Sequence, residues 1–396
     1  MNTSSTPRRR SLLKGAAVAA GASLSAPMVM AQAAPTTFRF QSTWPAKDIF
    51  HEYALDFAKK VNDMAGGRLK IEVLPSGAVV PAFQLLEAVN KGTLDGGHGV
   101  VAYHYGKQSA LALWGSGPAF GMDPNMVLSW HYYGGGKALL EEIYKSINMD
   151  VVSYLYGPQP CQPLGWFKKP ISNVSQLKGL KFRTVGLAVD VFTELGVAVN
   201  PLPGGEIVPA LDRGLIDAAE FNNATSDRLL GFPDVAKNCM LQSFHQSGEQ
   251  FEILFNRTKY NALPQDLKAI IDYAVQAASA DMSWKAIDRN SKDYIELKTK
   301  DKINFYKTPD SILRAQLDAW DRVVAKKQSE NPLFKKVMDS QREFAQRAGQ
   351  WQNDYLVDYK IAFNRYFARG GAGGQGGAGG GGAGGGTTGG NANKKS

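Results

Sequence analysis

Apolar positions recur with two periods near the start of the chain. From Thr37 to Ser42 they fall on alternate residues, Phe38 and Phe40 sharing one face, as in a strand with one buried side. From Phe50 to Ala65 the spacing lengthens. Tyr53, Phe57, Val61 and Met64 make one helical stripe, which Gly66-Gly67 ends. Arg68–Leu74 alternates again. The order strand, helix, strand continues and predicts an α/β architecture with parallel or mixed sheets.

Part of this pattern occurs twice. Leu74-Pro75-Ser76-Gly77 recurs as Leu202-Pro203-Gly204-Gly205, and Lys91-Gly92-Thr93-Leu94-Asp95-Gly96-Gly97 as Arg213-Gly214-Leu215-Ile216-Asp217-Ala218-Ala219. Each copy reads as a strand ending in a Pro/Gly turn, a helix, a Gly cap and a new strand. Gly/Pro turns punctuate many α/β chains by chance. Two matches in one order favour two lobes of related fold, with a ligand cleft between them. The second copy runs into Glu220-Phe221-Asn222-Asn223, placing these residues at a strand end.

Charge and composition separate the ends from this body. The chain has 396 residues, a formal charge of +9, 42 glycines and two cysteines. Residues 1–33 carry +4 and no acid, and residues 370–396 carry +2, leaving +3 for residues 34–369. The last 27 residues hold 15 of the 42 glycines. The body therefore lacks the basic surplus of a nucleic-acid binder, and none is expected as a partner.

Arg8-Arg9-Arg10-Ser11-Leu12-Leu13-Lys14, an apolar run from Gly15 to Met30, and Ala31-Gln32-Ala33 have the order of an export signal. The Arg pair is of the twin-arginine type. The apolar run of 16 residues is shorter than the roughly 20 needed to span a bilayer. Cleavage after Ala33 and a periplasmic mature protein are expected. The Gly/Ala tail of residues 370–396 is expected to be disordered, since it cannot bury enough apolar surface to offset its ordering entropy. Cys161 and Cys239 are expected as two separate buried thiols, a disulfide between them staying an alternative.

Catalytic motifs are scarce. Five histidines show no HExxH spacing, and neither GxSxG nor a GxxxxGK phosphate loop followed by Ser or Thr occurs. Gly134-Gly135-Gly136-Lys137 reads as a turn capping a helix over Ala138–Ile147. A binding protein is favoured over an enzyme. Arg183 closes a short strand and precedes a loop that opens a helix. A guanidinium there can grip a carboxylate through two parallel hydrogen bonds. Glu220, following Ala218-Ala219, should be buried, which calls for a cation or hydrogen-bond partner.

Gly165-Trp166-Phe167-Lys168-Lys169-Pro170-Ile171 and Leu177-Lys178-Gly179-Leu180-Lys181-Phe182-Arg183 make the most distinctive stretch. Here the sequence resembles the solute-binding subunits of TRAP (tripartite ATP-independent periplasmic) transporters, over roughly residues 36–365. It is closest to the subgroup for 2-oxo acids and lactate. The resemblance implies a two-lobed periplasmic binding protein with a hinged interlobe cleft and a long C-terminal helix. It implies delivery of a small organic carboxylate to TRAP membrane permease subunits. It further implies substrate binding by Gln162, Arg183, Phe221 and Gln246. Glu220, the backbone of Phe221, Gln162 and Gln246 would hold a bridging Na⁺ or Ca²⁺, hard cations that suit oxygen ligands.

Two positions depart from the subgroup: Phe221 stands for a Trp, and Gln246 for a Glu that would have charged the metal shell. An ATP-driven importer or sensor, or less favoured an exported enzyme, are the alternatives. The expected lobes are residues 34–157 plus about 248–310, and 158–247. A helical region over 311–369 follows. Leu333–Phe367 contains no Pro, so a helix of up to 35 residues is expected, roughly 50 Å long. Its stripe of Trp351, Tyr355, Tyr359 and Phe363 is a candidate homodimer surface, consistent with the swapped-helix dimers of the resembled subgroup.

Overall fold

The structure, a computed structural model, describes Met1 and residues 35–367. The expected export signal of residues 1–33 and the Gly-rich tail of 370–396 lie outside the described residues. Two compact units are present, Met1–Ala345 and Gln346–Ser396.

The first unit holds two mixed sheets. Its strands are β1 (Thr36–Ser42), β2 (Leu69–Leu74), β3 (Gly96–Gly99), β4 (Val151–Pro158), β5 (Gly165–Phe167), β6 (Lys181–Arg183), β7 (Ala198–Val199), β8 (Ala218–Ala219), β9 (Asn238–Leu241), β10 (Gln250–Asn256) and β11 (Asn304–Lys307). One sheet has the order β2-β1-β3-β10-β4 and the other β11-β9-β5-β8-β6-β7. In the first, β1 runs parallel to β2 and β3, while β10 is antiparallel to both β3 and β4. In the second, β6 runs parallel to β7 and β8, while β5 is antiparallel to both β8 and β9. Five strands of each sheet therefore match in order and direction. The repeat seen in the sequence is a repeat of topology.

The repeated residues do equivalent work. Gly92 and Gly214 end their helices at φ 75° and 70°, the left-handed region that a Cβ disfavours. Asp95 accepts the backbone N–H of Arg39 at 2.5 Å, and Asp217 accepts that of Lys181 at 3.0 Å. Each carboxylate ties the next strand to the central one.

The chain exchanges between sheets three times. Gln159–Leu164 carries it from β4 to β5, and Gln242–Glu249 returns it from β9 to β10. The helix Gln265–Thr299 then leads from β10 towards β11. This helix has 35 residues. Ion pairs hold its middle to the helix Ile49–Met64, through Lys60–Asp281 at 2.6 Å and Lys285–Glu52 at 3.2 Å. Its second half is held to the helix Ala224–Leu230 through Arg228, paired with Asp293 at 2.9 Å and Glu296 at 2.6 Å. No described helix is long and apolar enough to cross a membrane.

Several sequence expectations need correction. β11 extends the second sheet beside β9, so the segment 248–310 does not belong wholly to the first lobe. Tyr53, Phe57 and Val61 are core, but Met64, on the last turn of its helix, is exposed. Cys239 is buried, whereas Cys161 lies exposed on a crossover; both thiols are free. The C-terminal helix is interrupted, running Pro332–Tyr355 and resuming at Tyr359–Phe367. Asp358 starts the second piece by accepting the Lys360 N–H at 2.9 Å, an N-terminal capping bond.

Candidate functional site

The two crossovers, running antiparallel, bring the site together. The Gln159 N–H donates to the Glu249 carbonyl at 3.0 Å, and the Gln162 N–H to the Gln246 carbonyl at 3.4 Å. Their sequence, Pro158-Gln159-Pro160-Cys161-Gln162-Pro163, is extended because proline excludes helix from its own and preceding positions. Gln159, Gln162, Gln246 and Glu249 are all buried.

Arg183 reaches this seam from the end of β6. It is 1 % exposed, and every bond it makes is to its own lobe. Nε donates to the Leu202 carbonyl at 2.8 Å, and Nη1 to the Glu220 carbonyl at 3.1 Å and Oε1 at 2.8 Å. The guanidinium carbon lies 5.6 Å from the centroid of the Phe221 ring. Nη2 is buried without a partner. Register explains the pairing: Arg183 lies opposite Ala219, so Glu220 begins where β8 stops.

Around Arg183 the closed lobes leave a small cavity. Trp44, Phe50, Val100 and Tyr103 wall it from the first lobe, Val185, Phe221 and Asn222 from the second, and the crossovers close it. Gln162, Arg183, Phe221 and Gln246 all line this cavity. Glu220 does not line it; it stands behind Arg183, fully buried. The lobes are closed on each other. The Ser226 hydroxyl donates to Asp48 at 2.7 Å, Lys47 Nζ to the Leu230 carbonyl at 3.1 Å, and the Leu187 N–H to Ser116 Oγ at 3.0 Å.

Glu249 was not singled out from the sequence. Its Oε2 accepts from Gln162 Nε2 at 2.9 Å and its Oε1 from Gln246 Nε2 at 3.1 Å. Burial and the nearby Glu220 charge raise its carboxyl, while the Gln246 and Gln162 amides and the Arg183 charge favour its ionised form. A buried acid thus stands three residues after Gln246. Gln159 was also missed; its Oε1 accepts from Asn222 Nδ2. The Pro-bounded glutamines were the available signal for Gln159, and the run after His245 for Glu249.

The unpartnered buried atoms divide by chemistry. Gln162 Oε1, Gln246 Oε1 and Glu220 Oε2 are acceptors; Arg183 Nη2 and Gln159 Nε2 are donors. Buried polar atoms are costly unless something pairs with them. The donors suit a carboxylate or carbonyl oxygen, and the acceptors, oxygen alone, suit a hard cation. Among the described residues no cluster of three or more His, Cys, Asp or Glu side chains could hold a metal ion.

Comparison with known proteins agrees with this geometry. Residues 40–331 match the family described as bacterial extracellular solute-binding protein, family 7. A monocarboxylate 2-oxoacid-binding periplasmic protein of Nostoc sp. is 33 % identical over 323 residues, 82 % of this chain and 88 % of that one. A TRAP transporter solute-binding protein of Bordetella bronchiseptica superposes with a TM-score of 0.78 at 27 % identity, covering 84 % of this chain and 97 % of that one. It is described as a mixed-occupancy dimer with calcium and picolinate bound at one site. A counterpart from Pseudoalteromonas atlantica, with sodium and pyruvate, gives 0.77 at 27 % identity, covering 84 % and 99 %.

Proposed function

Because the chain belongs to family 7 of the bacterial extracellular solute-binding proteins, we propose that it captures a small organic monocarboxylate, of the 2-oxo or hydroxy acid type, together with a cation. Closure of the two lobes would retain the ligand for delivery to a TRAP permease. The observation that carries this reading is the divided set of buried, unpartnered atoms around Arg183. Arg183 is already paired with Glu220, so an entering carboxylate meets a guanidinium whose charge is partly spent. A cation facing Gln162 and Gln246 would restore the balance. Na⁺ or Ca²⁺ fits this oxygen set, and the relatives with bound sodium or calcium support it.

Arg183 Nη2 would grip the carboxylate and Gln159 Nε2 a second ligand oxygen. Trp44, Phe50, Tyr103 and Phe221 would enclose a short carbon skeleton. Contacts to both lobes favour the closed state, since a ligand shifts a population only by its differential affinity. The family consists of receptors, and the same role, without turnover, is proposed for this chain. Division of the lobes at Gln159–Leu164 and Gln242–Glu249, export by the twin-arginine signal, and a homodimer through the C-terminal aromatic stripe complete the proposal.

The test is a thermal-shift panel of 2-oxo, hydroxy and aromatic monocarboxylates, with and without Na⁺ or Ca²⁺. Arg183→Lys keeps a positive charge for Glu220 but loses the planar fork. It should weaken the best ligand at least about tenfold, about 1.4 kcal/mol. Unchanged affinity in this variant would remove Arg183 from the site.

A further inference from the structure

We infer that Glu249 is a positioning residue that makes the cleft a cation site, by holding the amides of Gln162 and Gln246 with both oxygens turned away from it. The inference rests on the cation reading above and assigns the residue that enables it. A primary amide presents an acceptor at one end and a two-proton donor at the other, nearly equal in size. Two glutamines in a pocket can therefore offer oxygens, nitrogens or one of each. Both Glu249 oxygens are engaged as acceptors of amide N–H groups, the pattern of an acceptor-only carboxylate, so each glutamine bonds to it through nitrogen. Glu249 meets Gln162 Nε2 with one oxygen and Gln246 Nε2 with the other, at 2.9 and 3.1 Å. Both Oε1 atoms are left as buried acceptors with no partner.

The carboxylate is itself held in place. Its backbone carbonyl accepts the Gln159 N–H at 3.0 Å, and a Cβ built on Gly115 would come within 3.0 Å of its Oε1 and 3.1 Å of its Cγ. One glutamine comes from each crossover, so a single side chain sets the donor pattern across the seam. A glutamine at 249 would offer one oxygen and one nitrogen, and one of the two amides would have to reverse. That reversal would put an NH₂ group where a cation needs an oxygen.

Calorimetric titration of Ca²⁺ at saturating pyruvate tests this in four proteins: the parent, Glu249→Gln, Gln162→Met and the double variant. Glu249→Gln alone should weaken Ca²⁺ at least about tenfold. In the Gln162→Met background it should add less than about twofold, because only one amide remains to orient. An equal loss in both backgrounds would make Glu249 a direct ligand and overturn the positioning role. Failure of the parent to bind Ca²⁺ or Na⁺ with any carboxylate would overturn the cation reading instead. A second readout needs no cation. The side-chain amide protons of Gln162 and Gln246 should exchange slowly in the parent, and one pair should exchange faster in Glu249→Gln; unchanged exchange of both counts against the inference. If Glu249→Gln does not fold, Gly115→Ala, whose methyl displaces Glu249 without changing its charge, should weaken Ca²⁺ in the same direction.

Discussion

Asp48 shows how lobe closure changes the chemistry of one residue. It caps the helix Ile49–Met64, its Oδ1 accepting the Phe50 N–H at 3.1 Å and, from the opposite lobe, the Ser226 hydroxyl at 2.7 Å. Its Oδ2 is buried without a partner. Burial pushes the carboxyl up to about 7 against the two hydrogen bonds and Lys47, which favour the ionised form. The folded protein therefore keeps a proton that the unfolded chain releases above its ordinary value near 3.8. The stabilisation this proton provides is complete below about pH 4 and is lost as pH rises through about 7, at about 1.4 kcal/mol per pH unit in between. Asp48→Asn keeps an oxygen for both hydrogen bonds and cannot ionise. Urea denaturation at a series of pH values should show a flatter profile for this variant; parallel profiles would mean that Asp48 is ionised in the fold.

At the scale of elements, the two five-stranded units share a device as well as a topology. Asp95 and Asp217 each tie a strand to its neighbour, β1 or β6. Asp95→Ala and Asp217→Ala should each cost about 1 kcal/mol, read from the denaturation midpoint. A cost at one site only would break the equivalence. The repeat was legible in the sequence because turns and helix caps are local. The third exchange, to β11, was not, because β11 is placed by register with β9, remote in the chain. β7 and β8, two residues each, are too short for any periodicity. The break after Tyr355 escaped notice because no Pro or Gly marks it; the signal was Asp358, a capping residue inside an apolar stripe.

For the whole molecule, the open question is the surface of its C-terminal unit. Trp351, Tyr355, Tyr359 and Phe363 are all exposed. If these rings form a homodimer surface, light scattering should give a dimer mass for the parent. Replacing Trp351, Tyr355 and Phe363 together by Ser should give a monomer that still binds carboxylate. A monomeric parent would end that proposal. The sequence by itself determined the α/β class, the doubled unit, Arg183 and the resemblance to carboxylate receptors, because periodicity, turn chemistry and short motifs act over neighbouring residues. Only the tertiary structure decided that Arg183 is paired with Glu220 and that Glu249 meets the amides of Gln162 and Gln246. It also decided that three elements, not two, join the lobes. These outcomes depend on which buried groups meet when distant strands pair, and a polar atom's partner, not its place in the chain, decides its cost and its use.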